Sequence, residues 1–289
     1  MKAGVPGRYQ NTVAVLSTMH RKERVIKPVL EDGLGLKVGL ALGLDTDQFG
    51  TFSREIERTG SQLEAARAKI AAGFDCAPLA RVGVASEGSF GPHPSIPFMP
   101  IARELILLVD RDTGLELTGH DVSLDTNFSH KIVSDVAGAL AFAESVQFPG
   151  HGLIVIATDG DKPNPQHGLH KQIEDEAALT SAVQKIIEMC GTAFIEADMR
   201  AHRNPTRMAA IGRAAVDLVR RFNSRCPACE WPGFDVIERI KGLPCSWCGE
   251  PTEVAKIEML GCIHCGYRQE RPVSGAKTAE PGQCAQCNP

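Results

Sequence analysis

The stretch Thr192–Met208, TAFIEADMRAHRNPTRM, reads as strand, turn and helix in immediate succession. TAFIE (192–196) is a short β-rich apolar run. Asn204 is a favoured N-cap and Pro205 a favoured first helical residue. Met208, Ile211, Ala215, Leu218 and Phe222 then recur at helical spacing and predict a buried stripe. Arg200, His202, Arg203 and Arg207 thus crowd the start of a helix, where free backbone N–H groups and the dipole attract anions. The pattern predicts a phosphate or carboxylate site.

Working outward, the same alternation recurs. TVAVL (12–16), LKVGLAL (36–42), RVGVA (81–85), ELILLVD (104–110), LELT (115–118) and GLIVIA (152–157) read as strands. Between them lie helical patterns around Val25–Leu30, 51–73, 135–146 and 173–190. Pro28 is expected to kink or shorten the first of these, Gly60 to bend the second and Gly73 to cap it. The prolines of PHPSIPFMP (92–100) exclude that segment from a central sheet. The expectation is an α/β domain over 12–223, a mixed twisted sheet flanked by helices, after a flexible tail at 1–11. A separate cysteine-rich domain should occupy 224–289.

A net charge of −4 over 289 residues argues against a broadly basic nucleic-acid or membrane binder. No apolar run is long enough to span a bilayer, and MKAGVPGRYQNT has no apolar core of a signal peptide. The expected compartment is the cytoplasm.

Eight of the ten cysteines fall after residue 225, as Cys226/Cys229, Cys245/Cys248, Cys262/Cys265 and Cys284/Cys287. Each CxxC turn can present two thiolates to one tetrahedral zinc, so the eight suit two structural zinc ions. The spacing of the middle pairs suggests a zinc ribbon of knuckle, hairpin and knuckle, with the outer pairs sharing a second, nested site. Sequential pairing is the alternative. Seven basic and eight acidic residues follow Phe222, and each Cys₄ zinc adds about two negative charges. The tail therefore suits a brace or a protein contact better than a nucleic-acid clamp.

Ligands in open α/β sheets collect beyond the carboxyl ends of strands. Four such ends are polar here: Ser17–Lys22, Ser86–Ser89, Thr158–Asp161 and Asp198–Arg207. Glu87, between small residues, is the sharpest single acid.

ADMRAHRNPTRM, with ASEGSFGP (85–92) and the CPAC…CNP tail, resembles an uncharacterised bacterial family known as a domain of unknown function. The order of motifs is also similar to that of the inosine/xanthosine triphosphate pyrophosphatases and Maf-like proteins. Ser17, Thr18 and Lys22 match the superfamily's opening turn. Thr51-Phe52 matches the start of its second helix, and Glu64–Lys69 (EAARAK) resembles that helix's ENAxxKA pattern. Ala85–Gly88 stands in its acidic turn, and His202-Arg203 matches two residues of its Ser-His-Arg turn. The FGYDP segment is absent and the paired acids are reduced to Glu87.

This second resemblance implies metal-assisted hydrolysis of a nucleoside triphosphate or a related phosphoanhydride, on an ITPase-like fold. Lys22, Arg200, Arg203 and Arg207 would hold phosphates. Glu87, with Glu64 or Glu55, would hold Mg²⁺ and position a water. His202 would contact base or phosphate, while Ser17, Thr18, Thr51 and Ser86 line the pocket. The alternatives are a non-catalytic nucleotide- or protein-binding module with a zinc tail, and a nucleic-acid-associated protein using the seven arginines between Arg200 and Arg225.

Overall fold

A computed structural model of the chain describes residues 9–50, 54–56, 60–273, 275 and 277–289. The chain divides into two compact units between Val219 and Arg220. Thr51 lies outside the described residues, as do most of the residues expected before Gly60 in the second helix.

The first unit contains β1 (Val13–Ser17), α1 (Glu23–Leu34), β2 (Lys37–Leu40), α2 (Gln62–Cys76), β3 (Val82–His93), β4 (Ile96–Asp110), β5 (Leu115–Ser123), β6 (His130–Val133) and α3 (Val136–Ser145). It continues with β7 (Leu153–Asp159), the two-residue strands β8 (Lys162–Pro163) and β9 (Leu169–His170), α4 (Glu176–Cys190), β10 (Ala193–Ala197) and, as far as Val219, α5 (Pro205–Asn223). The class is mixed α/β as expected, but the strands form two sheets rather than one.

The first sheet has the order β2-β1-β3-β4-β5. β1 runs parallel to β2 and β3, and β3, β4 and β5 are antiparallel. α2 covers one face, where Ala66 and Ile70 pack on Ala85, Leu105 and Leu107. α5 covers the other, so closely that a Cβ on Gly119 would lie 2.3 Å from the carbonyl oxygen of Ala214. The second sheet, β6-β10-β7 with β8 and β9 against β7, is antiparallel throughout. Its Leu153, Val155, Ala193 and Ile195 join Leu179, Val183 and Ile186 of α4 in a buried core. Ile154, Ile156 and Phe194 face the other way. Among the described residues no helix is long and apolar enough to cross a membrane.

Several local expectations change. Tyr9 is buried, not part of a loose tail: its N–H donates to Leu34 O and its hydroxyl to Asp110. α1 accommodates Pro28 and continues to Leu34, burying Ile26, Leu30 and Leu34. α2 begins only after Ser61, whose side chain forms a reciprocal capping box with Glu64. Gly73 is interior to α2, not its cap, because the helix crosses Ser17 there: a Cβ would sit 2.0 Å from Ser17 Oγ.

SEGSFGPH is not a loop after a short strand but the second half of β3, paired with β4 out to His93 and Ile96. β1 stops pairing at Ala85 and β5 stops at Ala102. Among the described residues the proline-rich tip is therefore a two-stranded arm with no further strand on either edge, where a missing N–H breaks no inner ladder.

The second unit holds β11 (Asp235–Lys241), β12 (Ala255–Gly261) and β13 (Arg268–Pro272), an antiparallel sheet in sequence order. Glu258 on the central strand accepts from Arg239 on one side and Arg271 on the other.

Candidate functional site

Because β1 and β3 are parallel, their carboxyl-end segments meet. Ser17 pairs with Ala85, and beyond that point the chain turns through His20 and Arg21, both left-handed at φ 62° and 61°. Left-handed backbone at two successive non-glycine residues is costly and marks a position held by its surroundings. The turn delivers Lys22 to Ser86, Nζ donating to Oγ over 3.2 Å, with both side chains buried.

Alternation along β3 then divides the cluster. On the α5 face, Arg207 Nε donates to Glu104 Oε1 over 2.8 Å. Glu104 stands directly opposite Gly88. A Cβ on Gly88 would come within 2.6 Å of Arg207 and 2.7 Å of Glu104, so glycine is what admits this pair. On the α2 face, Lys69 forms an ion pair with Glu87. Three cations thus accompany two carboxylates in the interior. Burial, with Arg207 and Lys69 nearby, brings the Lys22 ammonium down to about 7. Burial also raises Glu104, with Arg207 opposing the shift.

Beside the cluster opens a cavity of about 270 Å³, whose lining includes Arg54, Glu87, Phe90, Phe128, Glu196 and Met199. Phe90 and Phe128 stack at 5.9 Å. Arg54 directs both Nε and a terminal nitrogen to Glu196 Oε2, at 3.1 and 3.0 Å. Glu196 Oε1 is buried without a hydrogen-bond partner among the described residues, and burial pushes this carboxyl upward. The cavity offers an aromatic wall, two carboxylates and a cationic flank.

The turn quoted at the outset is built as read at its centre. Asn204 Oδ1 accepts from Arg207 N over 2.9 Å, and α5 starts at Pro205. Its arginines, however, face inward. Arg200 forks onto Asp198 and also reaches Lys171 O; Arg203 donates to Ile173 O; Arg207 is taken by Glu104. His202 stacks on His20 at 5.0 Å, and His20 in turn meets Asp47 at 3.2 Å. Burial, then His20 and Arg200, lowers His202 to about 4, so at neutral pH its ring is uncharged.

Of the other expected residues, Ser17 is buried next to Gly73 with Oγ unpartnered, and Thr18 bonds the carbonyl of Met19. Glu64 is exposed and committed to its cap, and Glu55 pairs with Lys171. Thr158–Asp161 cannot join Asp198–Arg207 at one sheet end, because β7 and β10 are antiparallel and their carboxyl ends point apart. Lys69 and Glu104 were not among the expected site residues. Each is a charge beside apolar residues, Lys69 between Ala66 and Ile70, and Glu104 at the head of LILLV.

In the second unit the thiols gather as Cys226, Cys229, Cys262 and Cys265, and as Cys245, Cys248, Cys284 and Cys287. This interleaved pairing replaces both the nested and the sequential ones. Each interval between knuckles holds a single strand, not a hairpin, and successive strands reverse direction. Odd and even knuckles therefore land at opposite ends of the sheet. Sulfur separations of 3.7 and 3.7 Å in one group and 3.8 and 3.6 Å in the other match the roughly 3.8 Å edge of a Zn–S₄ tetrahedron. They are far from the roughly 2.05 Å of a disulfide. Both groups could hold zinc. Among the described residues, no three acids or histidines of the cleft come together as these thiols do.

Residues 73–289 match the family described as a domain of unknown function (DUF6671), and the chain belongs to that family. The match takes in Ser86, Glu87, Glu104, Arg207 and all eight knuckle cysteines, while Lys22 and Lys69 precede it. Comparison with curated proteins finds no match.

Proposed function

We propose that the first unit binds a nucleoside triphosphate or a related phosphoanhydride in the cavity at Glu87 and hydrolyses it with Mg²⁺, releasing pyrophosphate. The observation that carries this reading is Lys22. It is a buried ammonium hydrogen-bonded to a neutral hydroxyl, in a cluster where cations outnumber acids. An arriving phosphate supplies the missing negative charge. The order of motifs shared with the ITPase and Maf-like proteins supports it as well, and an ITPase-like fold is part of the proposal.

In this reading Phe90 and Phe128 stack against the base, while Lys22 and Lys69 face the phosphates. His202 enters as a neutral ring. Glu87 and Glu196 are the acids on the cavity wall, and Glu196 Oε1 lacks a hydrogen-bond partner. One or two carboxylates plus phosphate oxygens is the usual Mg²⁺ shell. Mg²⁺ held there would polarise the phosphoryl oxygens. Glu87 accepts a proton from the attacking water; the new P–O bond forms at the α-phosphorus as pyrophosphate leaves. A cytoplasmic setting suits reduced thiols and a nucleotide substrate.

A panel of nucleoside triphosphates with Mg²⁺, assayed for pyrophosphate, tests the proposal. Glu87→Gln should abolish release while leaving nucleotide binding measurable. If no nucleotide yields pyrophosphate, the catalytic reading fails. A non-catalytic binder is the second reading. It is favoured by the protein partners that already occupy Arg200, Arg203 and Arg207; binding without turnover would establish it, and the zinc unit would then be the protein-contact surface. Nucleic-acid association is weaker. Arg213 pairs with Asp121, and Arg220 and Arg221 with Asp235, so the arginine-rich strip is largely neutralised.

A further inference from the structure

The two Cys₄ groups resemble each other in sulfur geometry and differ in what surrounds them. In the first, His264 Nδ1 lies 3.9 Å from Cys229 Sγ. Its ring is fixed there by stacking on Trp231, with centroids 4.1 Å apart and planes 9° from parallel. Trp231 is itself buried, and its carbonyl accepts from Cys226 N over 3.0 Å. The same tryptophan thus braces the knuckle and orients the imidazole. In the second group the knuckle tryptophan, Trp247, turns outward and is 77% exposed. There the donors to sulfur among the described residues are backbone N–H groups: Trp247, 3.4 Å from Cys245 Sγ, and Cys248 at Cys245, and Glu250 at Cys248.

We propose that the two zinc sites are unequal: His264 donates Nδ1–H to the Cys229 thiolate and makes the Cys226/Cys229/Cys262/Cys265 site the retentive one. The Cys245/Cys248/Cys284/Cys287 site is the exchangeable one. Four thiolates on one Zn²⁺ leave a net charge of about −2, and a side-chain N–H to sulfur withdraws part of it. The shielded thiolate is then less open to protonation and to exchange with a competing chelator. Outer-shell donors of this kind typically change metal affinity about 10–100-fold.

The test follows zinc leaving the full-length, zinc-loaded protein under excess chelator, read by a metal-sensitive dye. Two phases of one zinc each are expected, at least about tenfold apart. Cys265→Ser should remove the slow phase and Cys248→Ser the fast one. His264→Phe keeps a ring for Trp231 but no donor, and should move only the slow phase towards the fast. A single phase for both ions, or a slow phase that His264→Phe leaves unchanged, overturns the proposal. Should that variant fail to fold, cadmium NMR of the wild-type chain decides. The His264 imidazole proton should correlate with one of the two tetrathiolate cadmium resonances, and its correlation with neither overturns the assignment.

Discussion

Arg207 reaches Glu104 across the position of β3 that has no side chain, Gly88. The pair ties α5 to the central hairpin from inside, with both side chains 1% exposed. A buried ion pair is costly to form and more costly to break.

Glu104→Met or Arg207→Met alone should therefore lose about 3–5 kcal/mol, since each strands the opposite charge. The double variant should lose clearly less than the sum. Urea unfolding of the four proteins measures the coupling, and strict additivity would show that the pair is not energetically linked. Gly88→Ala should resemble the single variants.

Lys22 gives a pH signature of unusual sign. Its folded pKa is depressed, from 10.5 to about 7. The unfolded chain thus binds the extra proton between those limits, and this group's contribution to stability rises with pH across the window. Lys22→Met, freed of a buried charge, should raise the Tm most below pH 7, with the advantage shrinking towards pH 10. An advantage independent of pH would contradict this charge assignment. If a phosphate binds Lys22, binding near pH 8 should also take up a proton, visible by calorimetry in buffers of different ionisation enthalpy.

The interleaved thiol pairing is separable from its rivals by counting zinc. Cys226→Ser with Cys262→Ser removes two ligands of one site, so one zinc per chain should remain. Cys226→Ser with Cys245→Ser damages both sites, and both ions should be lost. Under nested or sequential pairing, the first variant would lose both.

The contact between α2 and β1 predicts a rescue. Gly73→Ala places its methyl 2.0 Å from Ser17 Oγ and should destabilise by about 1–3 kcal/mol as an overpacked site. Removing that oxygen with Ser17→Ala eases the contact and should recover part of the loss, as read by thermal unfolding.

What was legible in the sequence followed local rules. Strand, cap and stripe of the 192–222 segment hold because Asn204, Pro205 and the Ile211, Leu218 and Phe222 spacing settle them within a few residues. The inward turn of its arginines was not legible. For Arg207 it depends on Glu104, about a hundred residues away, and on the missing Cβ of Gly88; Arg200 and Arg203 reach the carbonyls of Lys171 and Ile173, about thirty residues back. The second half of β3 read as a loop because Gly88, Gly91 and Pro92 interrupt it, and its pairing with β4 is what makes it a strand. The division into two sheets was hidden for the same reason, since pairing partners leave no periodic mark. The thiol pairing follows from one strand per interval, but intervals of this length also accommodate a hairpin, so the spacing alone did not decide it.

The crossed wiring of the cysteine knuckles has a consequence for how the unit is made. A chain emerging in order exposes Cys226/Cys229 and then Cys245/Cys248, four thiols able to capture a zinc before their true partners exist. That first capture joins knuckles from opposite ends of the finished sheet. A zinc captured in that way would have to be exchanged before the native arrangement could form, so an early excess of free metal would slow assembly rather than speed it.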